Sequence, residues 1–391
     1  VSFLSISFIL LLLAAIVLRL TLGRQKTGKL YLYALIVVSF IFYSWHIPSH
    51  LFILLYVCLV AYAHGVWISR AKTKIGVFSG VSLLLIPLLV YKYLDFSIYE
   101  IVNPIMGISL QGGGILLPIG ISFFTFQAIS YVVDVYRGDL THRTRFSDLV
   151  LYLSFFPQLV AGPIVKAKDF LPQISKKRSF KGETVWYGLY LIIQGYFIKF
   201  VCADNLSPLV DEGWVDLAKA QSFQVDSVIC VLGFSFQIFY DFAGYTMIAK
   251  GVAYLLGFRL PDNFNCPYIA SSFSSFWRRW HISLSIWFRE YLYIPLGGNR
   301  LGPVRTSVNL LIVMVLCGIW HGAAWTYIIW GALHGMYLIL ERGLSKFIFH
   351  NKNTKILWFC VVQTCVLIAW VFFRADGASQ AFDILRSFVN M

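Results

Sequence analysis

The sequence predicts an all-α polytopic membrane protein with about ten or eleven membrane segments, and three observations carry that prediction. Its 391 residues are 59% hydrophobic and 13% charged, against about 45 to 50% apolar and about 25% charged in an ordinary soluble domain. Its mean hydropathy is +0.73. Apolar runs of roughly 20 residues, the length a helix needs to cross a bilayer, divide nearly the whole chain. No stretch is long or polar enough for a separate soluble domain.

From the amino end, the run from Val1 to Leu18 lacks the basic start and small-residue cleavage site of a signal peptide, and it reads as a retained helix. Basic loops then recur at every second turn: Arg19, Arg24, Lys26 and Lys29; Arg70, Lys72 and Lys74; Arg137, Arg143 and Arg145. The positive-inside rule makes these cytoplasmic. The formal charge of +14, from 32 Lys and Arg against 18 acids, thus orients helices and meets anionic lipid rather than nucleic acid. The run from Leu149 to Pro163 has basic residues on both sides, including Lys166, Lys168, Lys176, Lys177, Arg178 and Lys181. Its Phe-Phe-Pro-Gln and Ala-Gly-Pro turns suit a re-entrant segment with both ends cytoplasmic. The stretch from Ala203 to Asp226, with Asp204, Asp211, Glu212, Asp216 and Asp226 against Lys219, reads as a loop facing outward. The loop from Arg342 to Lys355 faces inward.

Seven cysteines show no C-x-x-C pair, so neither a zinc site nor a disulfide framework is indicated, and they read as small buried hydrophobes. No P-loop, dinucleotide fingerprint, H-E-x-x-H or G-x-S-x-G occurs, which removes nucleotide hydrolysis, zinc proteolysis and serine-elbow chemistry.

The polar residues inside apolar runs carry the functional signal. Asp241 needs a cation or a dense set of donors, because a buried unpaired charge costs several kcal/mol; an ion pair to an arginine that fixes helix packing is the expectation. Ser274, Arg278, His281, Ser285 and Arg289 recur every three or four residues, which predicts one polar stripe on a helix, with Trp277, Trp280, Leu284 and Trp287 on another side. Two readings stand together: an interfacial helix with snorkelling arginines, and a helix lining a polar tunnel in which Arg278, Arg279 or Arg289 binds the phosphates of a cytoplasmic donor. His321 and His334 sit alike in Gly318-Ile-Trp-His-Gly322 and Gly331-Ala-Leu-His-Gly335, where G-x-x-x-G allows close helix approach. A histidine in hydrocarbon is a functional-site hypothesis by default. His321 takes that reading, whereas His334 is assigned to packing with a hydrogen-bonded neighbour. His46, His50, His142 and His350 read as loop residues.

Several ordered motifs extend this picture. Ser122-Phe-Phe-Thr-Phe-Gln127, Phe155-Phe-Pro-Gln-Leu-Val-Ala-Gly-Pro163, Gln237-Ile-Phe-Tyr-Asp-Phe-Ala-Gly-Tyr245, Leu260-Pro-Asp-Asn-Phe-Asn265, Phe276-Trp-Arg-Arg-Trp-His-Ile-Ser-Leu-Ser285, Trp287-Phe-Arg-Glu-Tyr291, Tyr293-Ile-Pro-Leu-Gly-Gly-Asn-Arg300, Gly318-Ile-Trp-His-Gly322 and Trp370-Val-Phe-Phe-Arg374 resemble the membrane-bound O-acyltransferase (MBOAT) family. Within it they are similar to the bacterial alginate and peptidoglycan O-acetyltransferase membrane subunits. The resemblance implies one integral-membrane domain over 1–391, a helical bundle with re-entrant and interfacial helices and a central tunnel. Residues 114–374 would be its family core and 1–113 its less typical amino-terminal helices. The chain stops at Met391 in a helical-looking stretch where this branch usually continues, which leaves completeness open.

The resemblance further implies His321 as the catalytic residue and His281 as its partner, with no metal. It implies acetyl-CoA entering from the cytoplasm, an extracytoplasmic polysaccharide acceptor, a periplasmic or membrane-anchored hydrolase-like partner protein, and a place in the bacterial inner membrane. Arg278, Arg279, Arg289, Ser285 and Trp320 are the expected donor-binding set. His281, Trp320 Nε1 and backbone N–H groups remain unranked as oxyanion donors. His321 acts either as a general base or as a transiently acylated carrier. The alternatives are D-alanyl transfer to teichoic acid, a transporter that moves an acyl group or lipid-linked sugar without bond chemistry, and a scaffold that only recruits a transferase.

Overall fold

The computed structural model describes residues 5–23, 29–140, 144–159, 162–175, 182–219, 225–348 and 352–388. Among these the chain is helical with no strand, and six helices are long and apolar enough to cross a membrane: His50–Ala71, Lys74–Met106, Gly182–Leu217, Ser227–Leu256, Pro303–His321 and Asn353–Arg374. The shorter apolar helices Ile6–Leu22 and Lys29–Ser44 precede them. The protein is thus a multi-pass membrane protein. Arg24, Lys26, His142, Arg143, Lys176, Lys177, Arg178, Lys181, His350 and Met391 lie outside the described residues. The contacts divide the chain into two units, 1–195 with 245–261, and 196–244 with 262–391.

The first unit contains α1 (Ile6–Leu22), α2 (Lys29–Ser44), α3 (His50–Ala71), α4 (Lys74–Ser97), α5 (Asn103–Met106), α6 (Ile121–Arg137), α7 (Phe146–Ser154), α8 (Phe156–Leu159), α9 (Ala167–Ser175) and nearly all of α10 (Gly182–Tyr196). Lys72, in the left-handed region at φ 45°, turns α3 into α4, and Thr73 Oγ1 caps α4 by accepting from Gly76 N–H at 3.2 Å. Arg19 is not the exposed loop cation that its charge predicts. It lies in the last turn of α1, buried, and donates to the carbonyls of Tyr254 and Leu255, where a guanidinium satisfies carbonyls orphaned at a helix end. Tyr31 adds a bond to Leu256 O at 2.9 Å.

Residues 149–159 are buried throughout, in helices of nine and four residues. At 1.5 Å per residue neither approaches the roughly 30 Å of a bilayer core, so this segment does not cross as one helix. Phe155 and Phe156 anchor it. Phe155 packs on Phe258 at 4.8 Å and Phe170 at 5.2 Å, and Phe156 packs on Phe42 at 5.5 Å. Gln158 Nε2 donates to Tyr152 O at 2.7 Å across the break at Phe155.

The second unit begins with a π-helical turn (Phe197–Ala203) and α11 (Asp204–Lys219), followed by the first part of α12 (Val225–Leu256). The acidic stretch expected as an outward loop is therefore largely helix. Two of its acids have counter-charges that permit this: Asp204 meets Lys199 Nζ at 2.5 Å, and Asp211 meets Arg374 Nη2 at 2.6 Å. Next come α13 (Phe273–Trp277), α14 (Ile282–Phe288), α15 (Pro303–His321), α16 (Trp325–Ile348), α17 (Lys352–Arg374) and α18 (Ala378–Ser387).

Helices α15 and α16 meet through glycines. A Cβ on Gly318 would lie 2.1 Å from Tyr327 O, one on Gly331 would lie 2.3 Å from Met314 O, and one on Gly322 would lie 2.1 Å from the Tyr327 ring. The close approach expected of the two G-x-x-x-G motifs is present at their first glycines. Glu341, buried on α16, accepts from Phe273 N–H at 2.5 Å, Ser274 N–H at 3.1 Å and Ser274 Oγ at 2.6 Å. A carboxylate suits these three donors, whereas an amide would turn an NH₂ group toward one of them. Glu341→Gln is accordingly expected to destabilise the protein by about 1 to 3 kcal/mol, read as a lower Tm in detergent with no change in helix content.

Candidate active site

The polar stripe predicted over 274–289 is not one helix. Its chain turns between α13 and α14, and His281 sits in that turn with φ 41° and ψ 55°. A left-handed backbone on a non-glycine residue costs about 1 to 3 kcal/mol and persists only where its surroundings hold it. Here the holder is the Asn263–Asn265 segment. Ile282 N–H donates to Asn263 O at 2.9 Å, and Asn265 N–H donates to Arg279 O at 2.9 Å. Asn263 Oδ1 accepts from Ser283 N–H at 3.2 Å and Ser283 Oγ at 2.9 Å, and lies 3.1 Å from His281 Nδ1. This clamp fixes both the turn and the imidazole.

His281 is 1% exposed. Phe242 meets its ring edge-on at 4.7 Å and Trp320 at 6.0 Å. Burial pushes its pKa down to about 3, because desolvation penalises the imidazolium, so the ring is neutral at physiological pH.

His321 is the last residue of α15, half-buried, with Trp320 at 4.9 Å, Trp330 at 5.0 Å and Phe373 at 5.2 Å. Three helices thus build its surroundings: α15 carries it, α16 supplies Trp330 and α17 supplies Phe373. The Gly318–Tyr327 approach one turn earlier sets its height against α16. His281 and His321 border the same indole, that of Trp320. Two histidines far apart in sequence are brought to one aromatic wall.

The remaining expected residues separate into two groups. Arg279 spends its donors locally, Nη1 on Asn265 O at 3.0 Å and Nε on Ser275 Oγ at 3.3 Å, and so braces the turn. Ser285 Oγ donates to Trp280 O at 3.3 Å. Arg278 and Arg289 are exposed, the latter 3.7 Å from Glu290. His334 is fully buried among Trp330, Trp277, Phe276 and Tyr337. Its packing assignment fits, but among the described residues neither ring nitrogen has the hydrogen bond expected with it. Of the cysteines, Cys58, Cys230 and Cys317 are buried, while Cys266 and Cys360 are exposed.

Asp241 has its cation, and the cation is a lysine rather than an arginine. Lys199 Nζ lies 2.5 Å from Asp241 Oδ1 and 2.5 Å from Asp204 Oδ1. The π-helical turn that carries Lys199 is a local irregularity no hydropathy pattern signals. Because the Asp241 side chain is 43% exposed, the pair is worth less than a fully buried one. A double-mutant cycle between Lys199→Ala and Asp241→Asn is expected to give a coupling of about 1 kcal/mol in thermal unfolding; additivity would show that the contact contributes nothing.

Asn263 is the residue that sequence patterning missed. It stands in the Leu260–Asn265 linker, which carries no periodicity, and its role depends on a contact 18 residues away.

The profile of MBOAT, the membrane-bound O-acyltransferase family, matches residues 140–374. A probable alginate O-acetylase of Pseudomonas aeruginosa is 37% identical over 361 residues, spanning 90% of this chain and 68% of the relative. One from Pseudomonas putida is 38% identical over 366 residues, 90% of this chain and 74% of the relative. A peptidoglycan O-acetyltransferase of Helicobacter pylori is 37% identical over 345 residues, 81% of this chain and 64% of the relative.

Proposed function

This chain belongs to the membrane-bound O-acyltransferase family, and from that premise we propose that it moves an acetyl group from cytoplasmic acetyl-CoA, through a membrane tunnel, to a hydroxyl of an extracytoplasmic polysaccharide. The observation that carries the reading is the convergence of His281 and His321 on Trp320. His321 takes the proton of the acceptor hydroxyl, whose oxygen attacks the thioester carbonyl. The C–S bond then breaks, the acetyl group remains as an ester on the acceptor, and the proton passes to the departing CoA thiolate.

The exposed Arg278 and Arg289 are the cations proposed to meet CoA phosphates, while Arg279 braces the turn that holds His281. Trp320 Nε1 and the backbone N–H groups near the glycines are the proposed oxyanion donors. We place the protein in a bacterial inner membrane, as one integral-membrane domain of about ten or eleven membrane segments, working with a partner that completes transfer to the polymer. The names of its relatives support a polyuronate or peptidoglycan acceptor.

Production in host strains lacking their own polysaccharide O-acetylase tests the acceptor. Acetyl esters on one of these polymers, absent from a His321→Ala strain, are the expected result. Unmodified polymer in every host, with the protein folded and its partner present, would contradict it.

A further inference from the structure

The Asn263 clamp determines which nitrogen of His281 carries its proton. Ser283 N–H lies 3.2 Å from the Asn263 side-chain atom next to His281. A backbone N–H can only donate, so that atom is the amide oxygen, an acceptor. His281 Nδ1 stands 3.1 Å from the same oxygen. An unprotonated Nδ1 would set two lone pairs against each other, so Nδ1 bears the hydrogen and donates. In a neutral imidazole the other nitrogen then has only a lone pair. That nitrogen, Nε2, is buried and has no hydrogen-bond partner among the described residues.

We propose that Asn263 is the positioning residue that fixes His281 as a hydrogen-bond acceptor at Nε2, so that His281 receives an O–H or N–H of bound substrate and does not donate to the oxyanion. The assignment rests on the acyltransferase reading for the identity of the substrate, and on geometry alone for the tautomer. Because His321 removes the proton of the reacting hydroxyl, the group received by His281 is a second donor. A neighbouring hydroxyl of the acceptor sugar and an amide N–H or hydroxyl of the pantetheine arm share that chemistry. The oxyanion is thereby left to Trp320 and backbone N–H groups.

The contacts on His281 come from Phe242 of α12, Trp320 of α15, and Asn263 and Ser283 of the clamp, none of them charged. The titratable groups adjoining these contacts in the chain are Asp241, paired to Lys199, and Asp262 and His321.

Two measurements decide the matter. In bilayers, ¹⁵N spectra of histidine-labelled protein, with the His281 signals identified by their loss in His281→Gln, are expected to show Nδ1 protonated and Nε2 unprotonated. A protonated Nε2 with bare Nδ1 in the wild type would overturn the assignment whatever the protein catalyses.

The second is the pH profile of acetyl transfer. Asn263→Asp keeps the acceptor and adds a charge that favours imidazolium. From a pKa of about 3, a rise of about three pH units, the upper end for a close opposite charge, brings His281 into the assayed range, so activity should fall on the acid side and recover on the alkaline side. Asn263→Ala should lose about 10²-fold at every pH. A shift in KM for acetyl-CoA would identify the pantetheine arm as the donor received, and a shift in KM for the acceptor would identify the sugar. Equal, flat losses in both variants would make Asn263 merely structural and contradict the proposal. Wild-type protein that transfers no acetyl group would defeat the acyltransferase reading, while the ¹⁵N result still decides the tautomer.

Discussion

Replacing His321 by alanine is expected to lower acetyl transfer by about 10²- to 10⁴-fold, the range typical of a lost general base, while the protein stays folded. The structure supports the second half of this expectation. His321 is half-buried at the end of α15, against aromatic rings from three helices, so truncation removes edge-on ring packing at a helix end rather than a fully buried core side chain. Removing the imidazole leaves Gly318 and Gly331 in contact and α15 against α16. Single-turnover assays with labelled acetyl-CoA measure the rate, and thermal unfolding checks the fold. The same quenched samples separate two chemistries. Label found on the wild-type protein during turnover would favour an acylated His321, and its absence would favour direct attack by the acceptor.

The second large effect is expected at Gly318. An alanine Cβ there would lie 2.1 Å from the Tyr327 carbonyl oxygen, and the obstacle is backbone, which cannot rotate aside. The helices must separate, and overpacking of this kind costs typically about 1 to 3 kcal/mol. Because His321 follows one turn later on the same helix, its distance to Trp330 changes with the separation. A displacement of about 1 Å can cost roughly 10²-fold in rate. Gly318→Ala is therefore expected to lower both Tm and CoA release. Gly343→Ala on the same helix pair is the matched control: a Cβ there meets nothing within 4 Å, and alanine should raise helix stability by up to about 1 kcal/mol. Similar behaviour of the two variants would show that the close approach does not position the site.

Much of this architecture is legible in the residues, and the exceptions have physical causes. Apolar length identifies the long helices because hydrocarbon leaves the backbone no alternative partner. The glycines flanking His321 announce a close approach because nothing larger fits. The polar spacing over 274–289, by contrast, matches a continuous helix and also a helix, turn and helix, since a three- or four-residue step survives a short turn. Only the left-handed backbone of His281 separates the two, and a histidine does not advertise that conformation as a glycine would.

The acidic stretch after Ala203 reads as a loop until Lys199 and Arg374 supply its counter-charges, and both are set by tertiary packing. Asp241 announces the need for a cation but not which one. Asn263 gives no signal, because its importance lies in hydrogen bonds with Ile282, Ser283 and His281 that exist only after the turn has formed.

The most direct test of acyl transfer across the bilayer uses proteoliposomes, with labelled acetyl-CoA on the cytoplasmic side of the protein and an oligosaccharide acceptor on the other. Free CoA on the first side and labelled ester on the second are expected, both abolished by His321→Ala and strongly reduced by His281→Ala. Equal CoA release by wild type and His321→Ala, or labelled acetyl-CoA recovered intact on the far side, would contradict acyl transfer and place the protein among transporters or scaffolds.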